Sequence, residues 1–91
     1  MFLHLGEDTV VRSREVVGIF DIEQTTIGRP TRDFLADAEK GGRGVTVSPE
    51  LPRSFVVCPH PDRGETVYIC QISAATLRKR AGKANLLREE I

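Results

Sequence analysis

Residues 54–58, Ser-Phe-Val-Val-Cys, and residues 16–22, Val-Val-Gly-Ile-Phe-Asp-Ile, are strand-forming runs in which both alternating sets of side chains are apolar. Phe55 and Val57 take one face of the first run and Val56 and Cys58 the other, while Val17 and Ile19 oppose Val16, Phe20 and Ile22. Strands of this kind must be covered on both sides, unlike those of a half-solvated antiparallel sheet. The chain that has to do this is 91 residues long, a single small domain near the low end of size for independent stability. With no Trp, four Phe and one Tyr, its core rests on Val, Ile and Leu.

Turn chemistry sets the remaining elements. Residues 2–5 and 9–11 flank Gly6-Glu-Asp8 and read as a hairpin, followed by the polar break Arg12-Ser-Arg-Glu15. Residues 24–29 lack a period and read as a loop ending at Pro30, which suits the first turn of a helix. That helix places Phe34, Leu35 and Ala38 on one face and stops at Gly41-Gly42. Residues 45–47 form a short strand, and residues 54–70 form a hairpin whose tip is the long loop 59–65. Ser73 caps a last helix with Ala74, Leu77 and Ala81 inward. Residues 83–91 either extend that helix or form a tail.

The expected fold is therefore α+β: a small antiparallel sheet of about five strands with a central helix and a short C-terminal helix, in one domain over residues 1–82. Two short helices cover one face of such a sheet more readily than two. A second copy of the chain would cover the other, so the expectation is a homo-oligomer assembling through the sheet, with Val17, Ile19, Val56 and Pro30 as its oligomer or structural residues. The alternative is a monomer with one helix on each face.

Cys58, His60, Cys70 and His4 supply potential zinc ligands, but Cys58-Pro-His60 is no knuckle. In a hairpin over 54–70, Cys58 faces Thr66 and Cys70 faces Ser54, four positions apart or about 13 Å, too far for a disulfide or a shared ion. Two buried thiols are expected, with no metal and no cofactor. The histidines stand apart from any nucleophile, and Gly41-Gly-Arg-Gly44 follows a helix instead of preceding one as a phosphate loop does. No enzyme and no small-molecule substrate is expected. No apolar run approaches the ~20 residues of a membrane span, so the expected location is cytoplasmic.

Thirteen Lys and Arg balance thirteen Asp and Glu, which argues against a strongly cationic nucleic-acid module. The charge is uneven, however. Residues 1–50 hold nine acids and six bases, and residues 51–91 hold seven bases and four acids. Arg78, Lys79, Arg80, Lys83 and Arg88 lie within residues 73–88 with no acid among them, either a phosphate-tracking stripe or an ordinary solvated helix face. Arg12, Arg14, Arg29, Arg32 and Arg53 sit in connections, where guanidinium forks suit an anion.

The segments Phe2-Leu-His-Leu-Gly6, Val10-Val-Arg-Ser-Arg-Glu-Val-Val-Gly-Ile-Phe-Asp21, Pro52-Arg-Ser-Phe-Val-Val57 and Ser73-Ala-Ala-Thr-Leu-Arg-Lys-Arg-Ala81 together resemble the RemA/RemB family of small bacterial regulators of extracellular matrix genes, the RemB branch more than the RemA branch. The resemblance implies a compact α+β unit in a ring-like homo-oligomer that binds double-stranded DNA, a transcription regulator of the biofilm type. Arg12 and Arg14 occupy the family's basic break, and Pro30 its helix-opening proline. Of an arginine-rich turn before the Val-rich strand only Arg53 remains, because Glu50-Leu51 stand where an arginine pair is expected. That departure removes about two phosphate contacts per subunit. The expected DNA contacts are Arg12, Arg14 and Arg53, with Arg78, Lys79 and Arg80 as a second set. A ring-forming adaptor that binds a protein and no DNA is the alternative.

Overall fold

The computed structural model describes residues 1–22 and 28–89, the last seven as helical backbone alone. Strand β1 (Phe2–Gly6) turns back onto β2 (Thr9–Arg12), and a 3-10 turn (Ser13–Glu15) leads into β3 (Gly18–Asp21). Helix α1 (Arg29–Lys40), β4 (Gly44–Thr46), β5 (Ser54–His60), β6 (Gly64–Cys70) and helix α2 (Ala74–Glu89) follow. Gly6 takes φ +120° at the first turn, a value that a side chain would strain. Of the loop expected over 24–29, residues 24–27 lie outside the described residues and Arg29 is already helical.

The α+β class holds, but a single antiparallel sheet does not. Strands β1 and β2 form a sheet of their own, and the other four are ordered β3-β5-β6-β4 with β4 parallel to β6. Residues 47–53 cross the end of β6 to bring the chain back antiparallel as β5. The hairpin β5–β6 keeps the expected register, Ser54 opposite Cys70 and Cys58 opposite Thr66. It runs longer than expected, since Pro59 pairs with Glu65 and His60 with Gly64. Pro59 is tolerated there because the Val57 carbonyl accepts from Val17 N–H at 2.7 Å, so odd residues of β5 aim at β3. Pro59 lies past the first residue of β3, where a missing N–H breaks nothing.

Both faces of the large sheet are covered within one chain. The hairpin β1–β2 and α2 pack Leu3, Leu5, Val11 and Leu77 onto Val56, Cys58 and Cys70. Helix α1 packs Phe34, Leu35 and Ala38 onto Phe55, Val57 and Val67. The helices therefore sit on opposite faces, and α2 is a 16-residue helix instead of a short one. This corrects the premise that a second subunit must cover one face: the N-terminal hairpin, not counted on as a covering layer, does that work. Helix α2 continues through residues 83–89, the helix extension that the sequence left open beside a tail.

A one-residue irregularity also swaps two valines. Val16 packs with Ile19 against the α2 side, while Val17 joins Phe20 on the α1 side, because residues 16 and 17 leave the 3-10 turn before regular pairing starts at Gly18. Val56 is fully buried and Ile19 partly so; both are core residues. Beside α1 the cover is incomplete. An open groove of about 360 Å³ remains there, lined by Val17, Phe20, Pro30, Phe34, Phe55 and Val57 among others.

Two cation networks fasten the outer elements. Arg43 donates to Asp37 of α1 at 2.9 Å and to Glu65 of β6. Arg63 donates to the Gly42 carbonyl at 2.6 Å. No helix among the described residues is long and apolar enough to cross a membrane.

Cys58 and Cys70 are free and buried in one cluster. Burial, and next the Glu15 charge, push the Cys58 thiol up to about 11 from the ordinary 9.0. Burial does the same for Cys70, also to about 11, with a hydrogen bond from Ser54 pulling the other way. The unfolded chain thus releases these protons from pH 9 upward while the folded chain holds them until about 11. Stability is unaffected by these groups below pH 9 and falls between 9 and 11. Denaturation at pH 7.5 and pH 10 is expected to show that loss, and a thiol reagent at pH 7.5 should label only denaturant-unfolded chains.

Candidate nucleic-acid interface

Arg12 closes β2 opposite Phe2, and Arg14 sits in the 3-10 turn that follows. The turn is anchored because Ser13 N–H donates to the Met1 carbonyl at 3.1 Å and Val16 N–H returns to the Ser13 carbonyl at 3.2 Å. With the backbone so fixed, Arg12 and Arg14 project with Met1 and Phe2 around a hollow of about 270 Å³. Both arginines are exposed, and neither guanidinium has a partner among the described residues.

The same turn packs against α2. That helix begins where expected: Ser73 Oγ accepts from Thr76 N–H at 3.2 Å, and its carbonyl takes Leu77 N–H at 3.1 Å. Ala74 and Leu77 face the core, so the next positions, Arg78 and Arg80, leave on the two flanks and Lys79 points outward. Arg78 donates to the Ile19 carbonyl at 2.8 Å, and Arg80 to the His4 carbonyl at 3.1 Å. Ile19 pairs with Val56, whose odd-numbered neighbours face β3, so the Ile19 carbonyl lies on the open edge of the sheet. Arg78 occupies that edge, one of the ways a sheet is protected against strand addition.

Three of the six expected contacts are thus unengaged and three are not. Among the described residues Arg12, Arg14 and Lys79 have no partner; Arg78 and Arg80 hold α2 to strands on either side, each with further N–H donors left over. Arg53 has moved away from the group. Its carbonyl accepts from Ile22 N–H and its N–H donates to the Cys70 carbonyl, at the end of the sheet where β3 finishes. The 3-10 turn lies by the other end, near Cys58, roughly 17 Å along β5 by strand rise. Pro30 stands at the start of α1, on the opposite face of the sheet from α2. Sequence reasoning missed the anchoring of Arg78 and Arg80, since their partners are backbone groups 59 and 76 residues away.

The division of labour is testable. Arg78→Ala should cost about 1 kcal/mol, the net worth of one charge-assisted bond with part of its stem packing. Lys79→Ala should change stability by less than about 0.5 kcal/mol. Paired thermal melts would measure both, and equal losses would show that the Arg78 anchor adds nothing.

Among the described residues, no three His, Cys, Asp or Glu side chains gather as a metal site. No family model matches the chain. Over 82 residues it is 35% identical to Extracellular matrix regulatory protein B of Bacillus subtilis (strain 168), a match covering 89% of this chain and 90% of that protein. The chain belongs to the RemA/RemB family, on its RemB branch.

Proposed function

We propose that this protein is a regulator of the extracellular matrix class that works as an oligomer and holds duplex DNA by its backbone phosphates. The observation that carries the reading is the fixed 3-10 turn against α2, which puts Arg12 and Arg14, without partners among the described residues, beside a helix bearing Lys79, Arg78 and Arg80. Guanidinium forks match phosphate oxygens, and an anchored arginine has less freedom to lose on contact. The name of the relative in Bacillus subtilis supports the regulatory class. Phe2 is the aromatic beside the arginines, too isolated to make a stacking platform.

Contact confined to phosphates is sequence-tolerant and steeply salt-dependent. A neutral subunit with a few free cations binds weakly alone, so several subunits must act together. Retention of unrelated duplexes, followed from low to physiological salt, should fall steeply with log salt. Preference among sequences should stay within about tenfold, far below the ~10³–10⁷ of a base reader. A protein that retains no duplex even at low salt overturns this reading and leaves the protein-binding adaptor in its place.

A further inference from the structure

Two exposed apolar features of this chain are a groove and a projecting side chain. One is the groove beside α1. Its floor is an aromatic stack, Phe20 on Phe55 at 4.9 Å between centroids with Phe34 tilted against Phe55 at 6.2 Å, and Gly18 leaves the space over which the Phe20 ring lies. Val17, 71% exposed, forms part of the wall. The other is a knob. Leu51 is 84% exposed, the highest value for a large hydrophobic side chain among the described residues. It sits in the loop that enters β5, between Pro49 and Pro52, and Glu50 N–H donates to Ser48 Oγ at 3.2 Å. Prolines and a side-chain turn pre-shape that loop, so little conformational freedom is lost when the leucine is buried.

The charges around the two features also match. Glu50, next to Leu51, has a carboxylate without a partner among the described residues. At the α1 end of the groove, Arg29 and Arg32 flank the lining residues Pro30 and Thr31, exposed and without an ion pair among the described residues. The charged lining residue, Glu65, is already bound to Arg43. Leu51 precedes Ser54, the first residue of β5, whereas the groove is lined by Phe55 and Val57 within that strand and by Glu65, which pairs with Pro59. Leu51 is not among the lining residues and stands 84% exposed, so a chain does not fill its own groove and the leucine is open to a second copy.

We propose that Leu51 of one copy seats in the groove of the next, with Glu50 facing Arg29 and Arg32, in a head-to-tail contact between copies of this chain. Such a contact uses two different patches, so it propagates, and it closes into a ring when the rotation per copy allows. It leaves Arg12, Arg14 and Lys79 free, because they lie on the α2 side of the sheet and the groove lies on the α1 side. The inference rests on the oligomeric half of the proposed function and not on its DNA half.

The test is the solution mass of the full chain without DNA, by light scattering and sedimentation, on the parent, Leu51→Asp and Val17→Asp. Both side chains are exposed, so each variant should fold and melt cooperatively. The parent is expected at a multiple of 10.1 kDa, and each variant as a monomer. Mixed in equal amounts, the variants should form a complex of two chains and nothing larger, because the intact knob of Val17→Asp fits the intact groove of Leu51→Asp. A parent oligomer that survives either substitution, or variants that fail to combine, overturns the knob-and-groove contact while leaving an oligomer held elsewhere. A monomeric parent overturns both this contact and the oligomeric half of the proposed function.

Discussion

Replacement of Arg12 and Arg14 together by glutamate is expected to abolish retention of duplex DNA at every salt concentration, with the oligomer mass unchanged. The two guanidinium groups are exposed, without a partner among the described residues and carried on an anchored backbone, so the substitution turns two attractive charges per subunit into two repulsive ones at one spot. The milder double change to alanine calibrates the effect. Each phosphate contact carries about 0.9 units of salt slope, so losing two removes about two units for every subunit engaged. With several subunits on one duplex, that is the difference between retention and none near physiological salt. Arg53→Ala should leave the slope as in the parent, since Arg53 stands at the far end of the sheet. If the glutamate pair still retains DNA with the parental slope, the contact surface is not the 3-10 turn.

Leu77→Ala is expected to be the most damaging of the conservative core changes, at about 2–5 kcal/mol. Leu77 is fully buried and joins α2 to Leu3 and Leu5 of the hairpin and to Val56 of the large sheet, so three layers lose contacts at once. A domain of this size commonly has only ~5–15 kcal/mol to lose. At ~4–8 °C per kcal/mol for a small domain, the melting temperature should drop by at least roughly 10 °C. The loss should be smaller if α2 shifts inward to close the cavity. A drop of under about 3 °C would mean that α2 is not the cover of that face.

Much of the local order was readable from consecutive residues. The alternation Phe55, Val57 against Val56, Cys58 divides the two cores as expected, because adjacent side chains on a strand must point opposite ways. Pro30, Gly41 and Ser73 mark helix ends through φ preference and capping, which need no distant partner. The one slip within a strand, at Val16 and Val17, came from a 3-10 turn that shifts the alternation by a residue without any signal in the side-chain types.

What the sequence by itself determined is therefore the strands and the two helices, the register of the β5–β6 hairpin and, Val16 and Val17 apart, the side of each strand that faces each core, all properties fixed by neighbours within a few residues. Only the tertiary structure decided which elements lie together: the separate β1–β2 layer, the parallel pairing of β4 with β6, the helices on opposite faces and the distance between Arg53 and the other arginines. The physical reason is that such pairings join residues far apart in the chain. Their free energy is a small difference between apolar burial and loop closure, summed over the whole molecule and carried by no single segment. The same reason hid the second role of Arg78 and Arg80, whose partners are backbone carbonyls, groups that every residue carries and that only the fold singles out.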